Sequence, residues 1–222
     1  MTHTANPWTL TQTGRAVDLL DPRPGMIDIR GDIAPALGRI ARFNGQVPGG
    51  AYSVAQHSVM GARALLDETN RPDLAAAFLL HDAHEAYLGD LTTPAADALA
   101  SVISRLLLQD GCRPETAQNT LRLARELLAF RLDQAIFSAA GLKWPLWPAD
   151  SYAIKRMDAR CLGQEARQLM PASDQPFPAT RLPPIRMRGK LAIMTAAKAT
   201  EAWLELFDQL CPAAQPVTAG AA

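Results

Sequence analysis

Apolar residues recur along this chain mostly at intervals of three and four, the period of a helix that buries one face. Val54, Met60, Gly61, Ala64 and Leu65 show it most plainly, and Ser53 stands where a helix cap belongs. The pattern predicts a helix from Ser53 to Asp67 and another from Leu74 to Leu88, opened by Pro72-Asp73 and stopped by Gly89. Further helices are expected over Ala95–Leu108, over Thr116–Ala140, from a cap at Asp150 or Ser151 to Met170, and over Leu191–Leu210. Asp32 can cap an earlier helix reaching Phe43, with Pro35 in its first turn.

Between and before these periodic stretches the punctuation changes. Residues 8–30 read as irregular or hairpin-like: Thr13-Gly14 and Pro22-Arg23-Pro24-Gly25 are turn signals, and Met26-Ile27-Asp28-Ile29 alternates like a short strand. Trp144 to Pro148 forms a rigid connector, residues 171–190 a proline-rich basic loop, and Pro212 to Ala222 a small polar tail expected to fray. No internal repeat or linker divides the chain. The expected architecture is one all-α domain over 1–222, with an N-terminal appendage (1–31), a core (32–170), the loop (171–190) and a C-terminal helix (191–210).

Composition narrows the class. At 222 residues, 48% of them hydrophobic, the chain supports one sizeable core. Lys+Arg and Asp+Glu are 22 each, so the formal charge is zero, which argues against binding of bulk nucleic acid. Three scattered cysteines suit a reducing compartment and supply no disulfide framework or zinc knuckle. The polar stretch Met1–Trp8 has no signal core, and no apolar run approaches the length of a membrane span, so a cytoplasmic protein is expected.

The densest chemistry lies in His81-Asp82-Ala83-His84-Glu85. On a continuous helix, with His81 at zero, Asp82 falls at about 100° and Glu85 at about 40°, one turn along and between them. A carboxylate there can reach a water held by a cation on the dyad. His84 lies about 60° to the other side and is a weaker ligand that can line the rim. The alternative is a buried hydrogen-bonded His81–Asp82 pair. His57, among apolar and small residues, is either a satisfied core histidine or a ligand. Asp158, between Ile154 and Leu162, needs a partner: a cation, or an arginine such as Arg122 or Arg125. Two imidazoles and two carboxylates would suit one borderline or hard divalent ion (Mn, Co, Fe, Zn or Mg). Arg42, with Phe43 beside it at a helix end, can meet a phosphate or sugar hydroxyl, or remain a solvated surface arginine. Asp90 can cap the helix after Pro94 or accept from a substrate hydroxyl.

The order His57 … His81-Asp82 … Asp158 resembles the HD-domain superfamily of metal-dependent phosphohydrolases. The run His81-Asp82-Ala83-x-Glu85 … Gly89-Asp90-Leu91-x-Thr93-Pro94 is similar to the signature of bacterial 5′-deoxynucleotidases, as are Arg42-Phe43 fifteen residues before His57 and the segment Ile154–Ala159. Two positions depart from that pattern: Phe43 replaces a tryptophan, and Gln56 a glutamate. The segment Tyr52–Ser58 also resembles uncharacterised bacterial and phage proteins, and phage enzymes that hydrolyse dATP share the general pattern.

The resemblance implies an HD-domain helical bundle. Its metal ligands would be His57, His81, Asp82 and Asp158, its catalytic carboxylates Glu85 and Asp90, and its substrate contacts Arg42, Phe43 and Asp90. The implied reaction converts a deoxynucleoside monophosphate to deoxynucleoside and phosphate. Triphosphate hydrolysis of the dATP type is the alternative, and a metal-braced nucleotide sensor the alternative of another class. A cyclic-dinucleotide phosphodiesterase is disfavoured, because only His3 and His84 remain for a larger cluster. The implied partner is a small nucleotide, with no membrane. The apolar face of Leu191–Leu210 closes either within the monomer or against a second copy in a homodimer.

Overall fold

Proline opens most of the long helices of this chain. The computed structural model describes residues 6–187 and 189–214, the side chains of Ala117 and Gln118 excepted; the end of the tail, 215–222, lies outside these. A two-stranded antiparallel hairpin, β1 (Trp8–Leu10) and β2 (Ala16–Asp18), turns at Thr13-Gly14. Among the described residues eight α-helices follow: α1 (Ala34–Arg39), α2 (Val54–Thr69), α3 (Pro72–Leu79), α4 (Glu85–Leu88), α5 (Thr93–Gln109), α6 (Pro114–Ala139), α7 (Pro148–Leu169) and α8 (Ala196–Leu210). Pro72, Pro94, Pro114 and Pro148 occupy first-turn positions, where the missing N–H costs nothing. The all-α architecture with a small β-hairpin appendage is as expected.

Helix α2 is the centre of the packing. Ser53 accepts from the Gln56 N–H and starts it, and Asn70, at φ 52°, ends it. Its neighbours are α1, α3, α7 and α8. Gly61 makes the α2–α3 approach feasible, since a Cβ there would overlap the Phe78 ring and press on Cys161 of α7. Helix α8 turns Ala199, Trp203, Leu206 and Phe207 into the core against α1, α2 and α3, so its apolar face closes within the monomer. Thr195 caps it, and residues 191–195 are not helical, which shortens the expected helix at its start. No helix among the described residues is long and apolar enough to cross a membrane.

Several local expectations are corrected. The alternation over Met26–Ile29 forms no strand. Residues Pro24–Met26 make a 3₁₀ turn and Ile29–Ile33 a π turn, whose Gly31 N–H donates to Asp28. Ile27 and Ile29 are buried without a partner strand. Asp32 caps no helix; it is buried and accepts from the Thr13 amide and hydroxyl, pinning the hairpin to the core. Helix α1 stops at Arg39 instead of running to Phe43, because the chain turns extended and Ala41 bridges to Ser53. The cap expected at Asp150 is absent. Helix α7 starts earlier, at Pro148, and Asp150 instead binds Arg71 at 2.7 Å. The loop over 171–190 contains a 3₁₀ turn, Pro178–Arg181, seated on α7.

The main correction falls on the expected helix Leu74–Leu88. It ends at Leu79, and α4 begins only at Glu85. The intervening amides bond three residues back: His81 to Phe78, Ala83 to Leu80, and Glu85 to Asp82. These tight turns carry the His81–Asp82 dyad, so side-chain directions there do not follow the helical wheel.

Candidate metal centre

Three separate stretches of backbone bring four side chains together. Helix α2 supplies His57, the α3–α4 turns supply His81 and Asp82, and α7 supplies Asp158. One ligand atom from each of His57, His81 and Asp158 lies within 4.8 Å of the other two. His57 Nε2 is 3.2 Å from Asp158 Oδ1 and 3.7 Å from Asp82 Oδ2, while His81 Nε2 is 3.2 Å from Asp82 Oδ2 and 3.9 Å from Asp158 Oδ1. Ligands about 2.1 Å from a shared cation stand roughly 3.0 to 3.5 Å apart at octahedral or tetrahedral angles. The spacing therefore fits one divalent ion with little movement.

The imidazole orientations strengthen this fit. His81 Nδ1 lies 2.6 Å from the Phe78 carbonyl, which can only accept, so Nδ1 carries a proton. His57 Nδ1 lies 2.6 Å from Glu165 Oε1, which makes it the donor to that carboxylate. In both rings Nε2 is left to face the centre, and both Nε2 atoms are buried without a hydrogen bond. A histidine ligand held through its other nitrogen is the usual arrangement around a protein-bound metal. Burial and Arg42 oppose a proton on His57, and burial opposes one on His81. The surrounding carboxylates outweigh this and raise both imidazoles above their ordinary value. Asp158 is held well below the usual carboxylate range, the two histidines overcoming the cost of burial.

Glu165 is the residue that sequence reasoning missed. It is fully buried on α7, two turns after Asp158, and binds three groups: His57, the Tyr52 hydroxyl at 3.1 Å, and Arg42 Nε and Nη2 at 3.2 Å each. Burial alone would raise its carboxyl, but Arg42 and His57 hold it below the ordinary value. The available signal was its place on the same helical stripe as Asp158.

Arg42 is no surface arginine, nor does it end a helix. Its amide donates to the Tyr52 carbonyl from an extended segment, and its guanidinium bridges Glu165 and, at 3.7 Å, Asp82. Phe43 and Asn44 follow with φ of 56° and 52°, a left-handed pair that non-glycine residues rarely adopt. The Phe43 ring meets Phe177 edge-on at 5.8 Å, so the proline-rich loop walls this side of the centre.

Glu85 opens α4. Its Oε2 is buried with no hydrogen-bond partner, and burial, then Asp82 and Asp90, push its carboxyl up to about 9. Asp90 does not cap α5, whose N-cap is Thr92; its carboxyl is raised by burial and Asp82, against the pull of Arg42. His84 pairs with Asp133 at 3.0 Å, another partnership that the sequence did not disclose. The arginines weighed as partners for Asp158 are engaged elsewhere, Arg122 with Glu126 and Arg125 with the Leu91 carbonyl. Gln56, where the resembling proteins have glutamate, ties α2 to the 191–195 segment through the Ala192 carbonyl and the Met194 amide.

Fold and site together define an all-α domain with a candidate His/His/Asp metal centre, a combination compatible with an HD-type fold. No family model matches the chain. It is similar to an uncharacterized protein of Rhodobacter capsulatus, at 48% identity over 97 residues, covering 41% of this chain and 48% of that protein. The match thus spans about half the length of that relative.

Proposed function

We propose that the protein is a metal-dependent phosphohydrolase of the HD type acting on small deoxynucleotides, and that a deoxynucleoside 5′-monophosphate is its substrate. One observation carries the reading: two buried Nε2 atoms, each oriented by a bond to Nδ1, converge with Asp158, next to a half-buried glutamate whose Oε2 is enclosed without a hydrogen-bond partner. His57, His81, Asp82 and Asp158 would hold the ion. A bound divalent cation supplies Lewis acidity toward the phosphoryl oxygens and lowers the pKa of water in its shell.

The remaining work falls to the chain. Arg42, already fixed by Glu165, presents donors to the phosphate oxygens. Glu85, whose carboxyl burial pushes upward, would hand a proton to the departing 5′ oxygen and recover one from the attacking water. Water adds to phosphorus as the P–O5′ bond breaks, and the products are deoxynucleoside and inorganic phosphate. Asp90 accepts from a sugar hydroxyl, and Phe43 flanks the sugar. A purely structural ion would have no need of a carboxyl oxygen enclosed without a partner at Glu85, which favours catalysis over a nucleotide sensor.

The test is phosphate release from a panel of deoxynucleoside and ribonucleoside monophosphates, each with Mn, Co, Fe, Zn or Mg. Glu85→Gln should keep stoichiometric metal and lose at least about 100-fold in kcat, and Asp82→Ala should lose both metal and turnover. Release of tripolyphosphate from a dNTP would replace the monophosphate reading. Nucleotide binding without turnover under every metal would replace the enzyme with a sensor.

A further inference from the structure

Helices α5 and α6 form an arm with an unfinished core. Among the described residues the extensive packing of α5 is against α6 alone, and Ala96 is its only buried residue. Among the described side chains the first half of α6 is equally bare; its buried positions begin at Leu132, where it enters the main core. Two helices in isolation bury too little apolar surface to hold their shape, which is why such hairpins are normally completed by further helices.

The exposed surface of the arm is not polar. Leu99, Val102 and Leu106 follow one stripe of α5, and Leu123, Leu127 and Phe130 one stripe of α6. These six side chains are between 42% and 56% exposed. At roughly 150 Å² for a large apolar side chain, they leave on the order of 450 Å² open per copy. Two copies would bury about 900 Å² of apolar area, and with apolar area near 60% of a typical interface the contact reaches about 1,500 Å² in total. That is the size of a stable, specific interface. Charge also favours a like partner. Residues 93–131 hold five arginines and four acidic side chains, so copies do not repel, and the arm offers little to a strongly charged surface.

We infer that the arm is the dimer interface of this protein: α5 and α6 of two copies close into a four-helix bundle around the two leucine stripes. The interface is independent of the proposed reaction, and it differs from the α8 face, which is spent inside the monomer.

Sedimentation velocity and light scattering on the full chain, from low to high micromolar concentration, test this. The wild type should show twice the chain mass and dissociate on dilution. Leu106→Glu with Leu127→Glu should run as a monomer with unchanged helical circular dichroism, since neither side chain enters the core. Val102→Lys alone should shift the dissociation midpoint to higher concentration. A wild-type monomer at the highest concentration overturns the inference, whether or not the arm then binds a lipid vesicle or a foreign protein. A dimer that survives all three substitutions overturns it as well.

Discussion

Replacing Glu165 by glutamine is the most informative single change. The side chain keeps its size, and its amide oxygen can still accept from His57 Nδ1. What disappears is the negative charge between His57 and Arg42, whose side chain is 12% exposed. The ion pair that remains to Arg42 is with Asp82, at 3.7 Å. Removing one partner of a buried ion pair costs about 3–5 kcal/mol, and the surviving hydrogen bond places this change near the lower end. For a chain of this length each kcal/mol lowers Tm by about 2–4 °C, so Glu165→Gln should unfold about 6–12 °C below the wild type. Loss of a group orienting a ligand histidine costs about 10- to 100-fold in metal affinity. Differential scanning calorimetry gives the first quantity. Titration calorimetry with Mn or Zn, at a temperature where both proteins are folded, gives the second. A variant that melts within about one degree of wild type and binds metal equally well would refute the assignment of Glu165 as the anchor of the centre.

Two further outcomes follow from the packing around the site. Arg160 of α7 makes a bidentate bond to Glu68 of α2, at 2.7 and 2.9 Å, and this bond lowers the Glu68 carboxyl against a smaller burial effect. A depressed carboxylate stabilises the fold above its unfolded value, and the gain is lost as pH falls through the lower, folded value. Glu68→Gln should therefore cost about 1 kcal/mol at neutral pH, and its Tm should fall less than that of wild type on acidification below the ordinary glutamate range. Parallel Tm–pH curves would contradict this. Gly61→Ala should destabilise by about 1–3 kcal/mol, because its methyl needs space taken by the Phe78 ring between α2 and α3; urea unfolding with an unchanged midpoint would show that α3 can move aside.

How much of this was legible in the sequence depended on the range of each interaction. Ser53 as a cap, Pro35 and Pro72 in first turns and the hairpin turn at Thr13-Gly14 act within a few residues, and the structure has all of them. His57, His81 and Asp158 were readable as a set because two imidazoles and an acid on apolar stripes share one need, and the fold brings them together. Glu165 was not readable in this way. Its partner His57 is 108 residues away, and a glutamate beside Gln164 and Arg167 on a helix has the profile of a solvated charge. The leucines of α5 and α6 predict helices correctly, but periodicity does not reveal whether a stripe meets a neighbour in the same chain.

The break between α3 and α4 was hidden for a different reason, and it is what makes the centre workable. The apolar spacing from Leu74 to Leu88 is that of one continuous helix, because tight turns preserve nearly the same pattern over so few residues. On such a helix, side chains at adjacent positions diverge by about 100° and do not face each other. In the observed turns, Asp82 Oδ2 instead lies 3.2 Å from His81 Nε2 and 3.7 Å from His57 Nε2. The 2.6 Å bond from the His81 ring to the Phe78 carbonyl engages an acceptor at the end of α3 and aims the ring at the same time. Two consecutive residues can thus address one point in space, and α4 restarts at Glu85, the residue whose enclosed carboxyl oxygen the proposed chemistry uses.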